Sequence, residues 1–340
     1  MINEVYQLTS PRYIQGTFEE IVLDRDHVLI HPLHMSICKA DQRYYQGNRP
    51  KAVLEQKLPM ALIHECVATV EYDPTGTFRT GDRVIPIPNT PVETDPIVAE
   101  NYLRSSKFRS SGFDGFMQDY VSMDPERLVA IDSGVNQDVA AFTELISVCM
   151  HVLDRLDGMA HARRQSIGIW GDGNLGFITA VLMKSLMPDT AVTILGRNYD
   201  KLSWFSFTDD RIQIDELPDD RMFDHCIECV GGPGAQNAIN QMIDHINPEG
   251  TIALTGVSEN NVPINTRMVL EKGLRLFGSS RSGRPDFVKT VDFLEHDPNA
   301  HYLQNLIGAV CDIHSIPDIH SAFNKDLSLR LGKTVLHWNL

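Results

Sequence analysis

The chain has 340 residues, 42% hydrophobic and 22% charged, which is ordinary globular composition with room for two domains. A formal charge of −15 excludes general nucleic-acid binding, which needs a basic surface to displace counterions from phosphate. The N-terminus lacks the basic and apolar regions of a secretory signal, no apolar run approaches the roughly 18 residues of a membrane span, and the cysteines have no regular spacing, so a soluble cytoplasmic protein with reduced thiols is expected, with no membrane partner.

From Val22 to Val84 the chain alternates in short strand-like runs punctuated by turns: V-L-I-H-P, then C-V-A-T-V-E-Y-D-P-T-G, then T-G-D-R-V-I-P-I-P. This pattern predicts an all-β unit. Residues 138 to 153, D-V-A-A-F-T-E-L-I-S-V-C-M-H-V-L, have apolar positions at helical spacing around Glu144, the one acidic residue after the opening Asp138. From about Ser166 the apolar runs S-I-G-I-W, A-V-T-I-L, H-C-I-E-C-V and T-I-A-L-T-G alternate with helical stretches, which predicts βαβ units on a parallel sheet.

The first of these strands runs into G-D-G-N-L-G, in which Gly171, Asp172, Gly173, Asn174, Leu175 and Gly176 form G-x-G-x-x-G at the opening of an apolar helix. There the glycines allow a tight turn, close backbone approach to a pyrophosphate and close packing of helix on strand, with the helix N-terminus facing the anion. About 20 residues on, where an NAD site usually places an acid for the ribose 2′-hydroxyl, stands Gly196, followed by Arg197 and Lys201. A small residue leaves room for a 2′-phosphate and the cations can bond it, which points to NADP.

Cys38 in H-M-S-I-C-K-A-D-Q-R-Y-Y, His64 in L-I-H-E-C and Glu144 together offer the S, N and O donors of a catalytic zinc site with an open fourth position. Such ligands come from distant segments, so their spacing alone is not diagnostic. The surrounding segments resemble the zinc-dependent alcohol dehydrogenases, the medium-chain dehydrogenases and reductases. S-I-C-K-A-D is similar to G-I-C-G-T-D, L-I-H-E to G-H-E, T-G-D-R-V to G-D-R-V, and F-T-E-L-I-S-V-C-M-H to the polyol branch's E-P-L-S-V-x-x-H.

The resemblance implies that Cys38, His64 and Glu144 bind one zinc, that Glu65 is an outer or alternate ligand, and that Asp41 bonds the ligand histidine. It implies an α/β architecture: a GroES-like β-barrel catalytic domain over residues 1–145, completed by 282–340, and a Rossmann doubly wound parallel-sheet cofactor domain over 146–281. The final L-R-L-G-K-T-V-L-H-W fits the barrel's closing strand.

Two departures from the family pattern stand out. Ala40 replaces the Ser or Thr that relays a proton in many relatives, so a water, the substrate hydroxyl, Tyr44 or Glu65 would have to serve. The stretch from Pro86 to Gly115 lacks the four cysteines of a structural-zinc lobe, so one zinc per chain is expected. Cys226 and Cys229 form C-x-x-C in a strand-like run, where alternation points them to opposite faces and favours packing over redox chemistry. Cys66, Cys149 and Cys311 read as core, and His31, His34 and His151 as structural histidines.

Within the family, the Cys38 segment with L-P-M-A-L-I-H-E looks most like the ribulose-5-phosphate reductases, which make ribitol 5-phosphate for a cytidylyltransferase in teichoic acid and capsule synthesis. A phosphorylated pentulose or pentitol would then meet cations among Lys39, Arg43, Arg49 and Lys51 or among Arg104, Lys107 and Arg109, with Arg43 the first choice. The alternatives are a sorbitol-type polyol dehydrogenase and a non-catalytic binding protein of the same fold. The resemblance further implies a homodimer or homotetramer.

Overall fold

Two units make up the computed structural model, which describes residues 1–340: Met1–Ser147 with Ser282–Leu340, and Val148–Arg281. In chain order the first unit begins with strands β1 (Ile2–Ser10), β2 (Tyr13–Glu20) and β3 (Val28–Ser36), then helices α1 (Lys39–Tyr45) and α2 (Lys51–Lys57). It continues through β4 (Met60–Ala61), β5 (Glu65–Tyr72), β6 (Arg83–Pro86), β7 (Asn89–Thr90), β8 (Lys107–Phe108), β9 (Val121–Met123) and β10 (Leu128–Ala130), then α3 (Gln137–Ala140), and α4 (Thr143–Met159) begins here and runs on into the second unit. The second unit holds β11 (Ser166–Trp170), α5 (Asn174–Leu186), β12 (Ala191–Gly196), α6 (Tyr199–Leu202), β13 (Asp210–Gln213), β14 (Phe223–Glu228), α7 (Ala235–His245), β15 (Ile246–Leu254), α8 (Thr266–Glu271) and β16 (Arg275–Gly278). The chain then returns to the first unit with α9 (Arg284–His296), β17 (Ile307–Ile313), α10 (Ile316–Ser328) and β18 (Lys333–Trp338).

The main sheet of the first unit runs β10-β6-β5-β3-β18-β17, with β9 also on β3, and a second sheet runs β2-β1-β4. Both contribute to one core, in which Val5, Leu8 and Met60 meet Ile30, Met35, Phe323, Leu336 and Trp338. The C-terminal strand β18 lies between β3 and β17, so the unit is completed from both ends of the chain. Two features escape a strand-only reading of residues 22–84. The hairpin β1–β2 precedes that span, and α1 interrupts it because Asp41, at the third helical position, takes the Cys38 backbone N–H at 3.0 Å.

In the second unit six strands pair in parallel in the order β13-β12-β11-β14-β15-β16. This is the doubly wound sheet implied by the alternating pattern, with β13 and β16 as edges too polar to stand out in the sequence. The order reverses between β11 and β14, and the glycine-rich turn follows β11 at that switch point.

Candidate active site

Residue 38 caps α1, residue 64 precedes β5, and residue 144 opens α4, so three separate elements deliver the expected donors. His64 and Glu144 are 6% and 7% exposed, while Asp41 and Glu65 are fully buried. His64 Nε2 lies 3.8 Å from Glu144 Oε2, and its Nδ1 lies 3.5 Å from Asp41 Oδ1. Asp41 is held by the N–H groups of Cys38 and Ile63, both at 3.0 Å, and by the Ser110 hydroxyl at 2.7 Å. Ile63 supplies its N–H from a left-handed backbone (φ 71°), a strained state for a β-branched residue, at the position where the family pattern carries glycine.

The two glutamates differ in how their charge is met. Glu65 accepts a hydrogen bond from Ser36 and pairs with the buried Lys333 ammonium at 2.8–2.9 Å. Burial would lower Lys333, but Glu65 and Cys38 beside it hold its pKa above the ordinary value. Burial pushes the Glu144 carboxyl up to about 7 against the opposing pull of His64. Burial would likewise depress His64, yet Asp41 and Cys38 raise it well above the usual imidazole range. One ligand atom each from Cys38, His64 and Glu65 lie within 4.8 Å of one another. By distance Glu65 joins the sulfur and nitrogen donors. By charge the carboxylate without a direct lysine partner is Glu144, and a half-buried thiol, a buried imidazole and a buried carboxylate are a donor set that fits a divalent zinc ion.

Phe108 packs edge-on against the His64 ring at 5.4 Å between centroids. Its neighbours Lys107 and Arg109 line a different space. Lys107 lies over Phe113, Arg109 lies over Phe116 and donates to the Asp114 carbonyl at 3.0 Å, and both line a cavity of about 370 Å³ that contains none of Cys38, His64 and Glu144. The basic residues after Cys38 are placed differently. Lys39 and Arg43 lie one turn apart on α1, and Arg49 and Lys57 approach the Tyr44 ring at 4.9 and 5.9 Å. Lys57, Phe108, Ser110 and Lys333 have no motif to announce them. A lone lysine in the apolar run K-T-V-L-H-W was the one visible signal.

In the second unit Gly171 has φ +134°, and a Cβ on Gly176 would sit 2.0 Å from the Gly171 carbonyl oxygen, so neither position tolerates a side chain. Gly173 caps α5, which begins at Asn174 and Leu175 and presents its N-terminus at the turn. The room beside Gly196 is already used. Asp172 accepts the N–H groups of Arg197 and Asn198 at 2.9 and 3.0 Å, and a Cβ on Gly196 would lie 2.6 Å from the Asp172 Cβ. Arg197 is exposed at the end of β12, and Lys201 lies 4.0 Å from Asp172. Past β14, Glu228 accepts from Val230, Gly231 and Gly256 at 2.6–2.8 Å and ties two loops together, a role without a sequence signal.

The six thiols are free. Burial raises Cys226 well above its usual range and Cys229 to about 12, which suits packing. His31 bonds the Asp119 carbonyl at 2.7 Å. No helix is long and apolar enough to cross a membrane.

Residues 24–133 match the model of the alcohol dehydrogenase GroES-like domain, and residues 204–296 that of the zinc-binding dehydrogenase. The chain is 53% identical to a ribulose-5-phosphate reductase of Bacillus spizizenii, covering all of both chains. It is 50% identical to ribulose-5-phosphate reductase 1 of Staphylococcus aureus over 99% of each. Among solved structures it is similar to S. aureus TarJ in complex with NADPH, with a TM-score of 0.90 and 45% identity over the full length of both.

Proposed function

The chain belongs to the zinc-binding dehydrogenase family, in its ribulose-5-phosphate reductase group, and from that membership we propose that it reduces D-ribulose 5-phosphate to D-ribitol 5-phosphate with NADPH. The observation that carries the metal assignment is the buried Glu144 carboxylate beside His64, with no lysine or arginine paired to it directly. Cys38, His64 and Glu144 would hold one Zn2+, with Glu65 committed to Lys333 and Ser36 outside that set. When bound, the ion supplies Lewis acidity to a carbonyl oxygen and NADPH supplies the hydride.

The chain's own residues position and shield these groups. Asp41 holds a proton on His64 Nδ1, so Nε2 offers its lone pair toward Cys38 and Glu144. Lys333 pairs with Glu65 and fixes it in place, and Phe108 packs against the His64 ring. Ala40 offers no hydroxyl and Glu65 is engaged, which leaves a water, the substrate's own hydroxyl or Tyr44 to pass the proton. In the second unit the Gly171–Gly176 turn and the N-terminus of α5 receive the pyrophosphate, while Arg197 and Lys201 meet the 2′-phosphate. The substrate phosphate is assigned to the cations of residues 39–57, among them Arg43, Arg49 and Lys57.

Free thiols and a soluble phosphate ester as product support a cytoplasmic enzyme that feeds a cytidylyltransferase. The family resemblance supports a homodimer or homotetramer. A pocket built for phosphate is left with unpaired cations when the phosphate is missing, so discrimination should appear in kcat/KM. NADPH consumption measured with ribulose 5-phosphate, ribulose and xylulose 5-phosphate should be fastest with the first and poor with ribulose. Faster oxidation of free sorbitol than of ribitol 5-phosphate would move the protein to the sorbitol-type branch.

A further inference from the structure

A second group of potential ligands lies in the first unit and shares no residue with the Cys38 site. His34 on β3 and His337 on β18 are directly opposite in antiparallel register, their rings 4.2 Å apart. Asp312 is the register partner of His337 on β17, so three adjacent strands set Asp312, His337 and His34 in one row across a sheet face. Asp138, from α3, closes the group. Its Oδ1 lies 2.8 Å from His34 Nδ1 and 2.8 Å from His337 Nε2, while the other ring nitrogen of His337 lies 3.3 Å from Asp312 Oδ1. The His34, Asp138 and His337 side chains are 26%, 23% and 30% exposed, so an ion from solution can reach them.

The contacts of His337 are informative. Both its ring nitrogens face carboxylate oxygens, and a neutral imidazole has one N–H to give. Two imidazoles and two carboxylates carry a formal charge of −2 when the histidines are neutral. The nearby cation Arg83, whose field reaches His34, is bonded to the Thr69 hydroxyl. A divalent ion between His34 Nδ1, His337 Nε2 and Asp138 satisfies every group, because His337 then keeps its proton on Nδ1 for Asp312, the usual carboxylate–histidine–metal arrangement. A tetrahedral ion with bonds of about 2.0–2.1 Å needs ligand atoms roughly 3.3 Å apart, so the 2.8 Å contacts have to open by only about half an ångström.

We propose that His34, His337 and Asp138 form a second, exchangeable site for a divalent transition-metal ion of the zinc class, with Asp312 orienting His337. Two imidazoles and a carboxylate select such ions over calcium or magnesium. The ion pins α3, and so the segment that leads into Glu144, to strands β3 and β18. It is weaker than the Cys38 site, since its ligands are half-exposed and contain no thiolate, and it fills only when free metal is supplied.

The test is titration of the full-length protein with Co2+ after removal of resident metal, followed by absorbance and elemental analysis. The Cys38 site announces itself by a thiolate-to-cobalt band in the near ultraviolet. The second equivalent should bind without increasing that band. His337→Gln and the near-isosteric Asp138→Asn should stop at one equivalent with the thiolate band intact. A native protein that saturates at one equivalent overturns the proposal, as does a folded Asp138→Asn protein that still takes two.

Discussion

At the scale of single residues the site turns on which of two buried glutamates has its charge met by the protein. Lys333 pairs directly with Glu65 at 2.8 Å, whereas the nearest cationic group to Glu144 is the His64 ring at 3.8 Å, with Lys333 acting on it only through its field. Glu144→Gln should therefore lose zinc by elemental analysis and leave the fold largely intact. Glu65→Gln should keep zinc but strand Lys333, at a cost of about 3–5 kcal/mol in denaturant unfolding. The reverse pattern would make Glu65 the ligand. Asp41→Asn keeps the shape of the orienting group and removes its charge, so zinc affinity in a chelator competition should fall about 10- to 100-fold. These roles were only partly legible in the sequence. Cys38, His64 and Glu144 stand in recognisable segments, whereas Lys333 reaches Glu65 from 268 positions away, and no local pattern encodes that distance.

At the scale of elements, the end of β12 shows how one glycine carries two meanings. The missing acid at residue 196 reads from sequence as space for a 2′-phosphate. In the structure the space is occupied by Asp172, which binds the next two backbone N–H groups and sets where Arg197 begins. On the proposed NADPH reading, the positive charge offered to the 2′-phosphate would then be mainly that of Arg197, with Lys201 partly turned to Asp172. A charge-assisted hydrogen bond contributes about 1.5–3 kcal/mol, so Arg197→Ala should weaken NADPH roughly tenfold or more and leave NADH nearly unchanged in fluorescence titrations. Equal losses for both would show that Arg197 reads another part of the cofactor. The C-x-x-C pair illustrates the converse, for there strand alternation alone predicted packing, and a fully buried Cys226 with a half-buried Cys229, both thiols pushed up by burial, agrees.

At the scale of the whole molecule, each ligand set lies within one of the two units: Cys38, His64 and Glu144 in the first, residues 171–201 in the second. A ligand held at 100 times its Kd stabilises its binder by about 2.7 kcal/mol, which slows amide exchange through global opening about a hundredfold. Hydrogen exchange should accordingly show NADPH protecting β11, β12 and α5, and zinc chelation loosening β3, β5 and β18. Chelation that loosened β11–β16 while sparing the first unit would contradict this division. The sequence by itself determined the parallel-sheet half, because a glycine turn between a buried strand and an apolar helix is a local pattern with a local physical cause. It also marked the candidate zinc donors, through the resemblance of their short segments to the dehydrogenase family. Tertiary structure alone decided which cations approach the metal donors, which carboxylate is left without a direct lysine partner, and that His34, Asp138 and His337 meet at all. Those facts depend on strand register, on the facing of alternate side chains and on a C-terminal strand inserted beside β3. The register and the inserted strand are long-range pairings that no window of sequence contains.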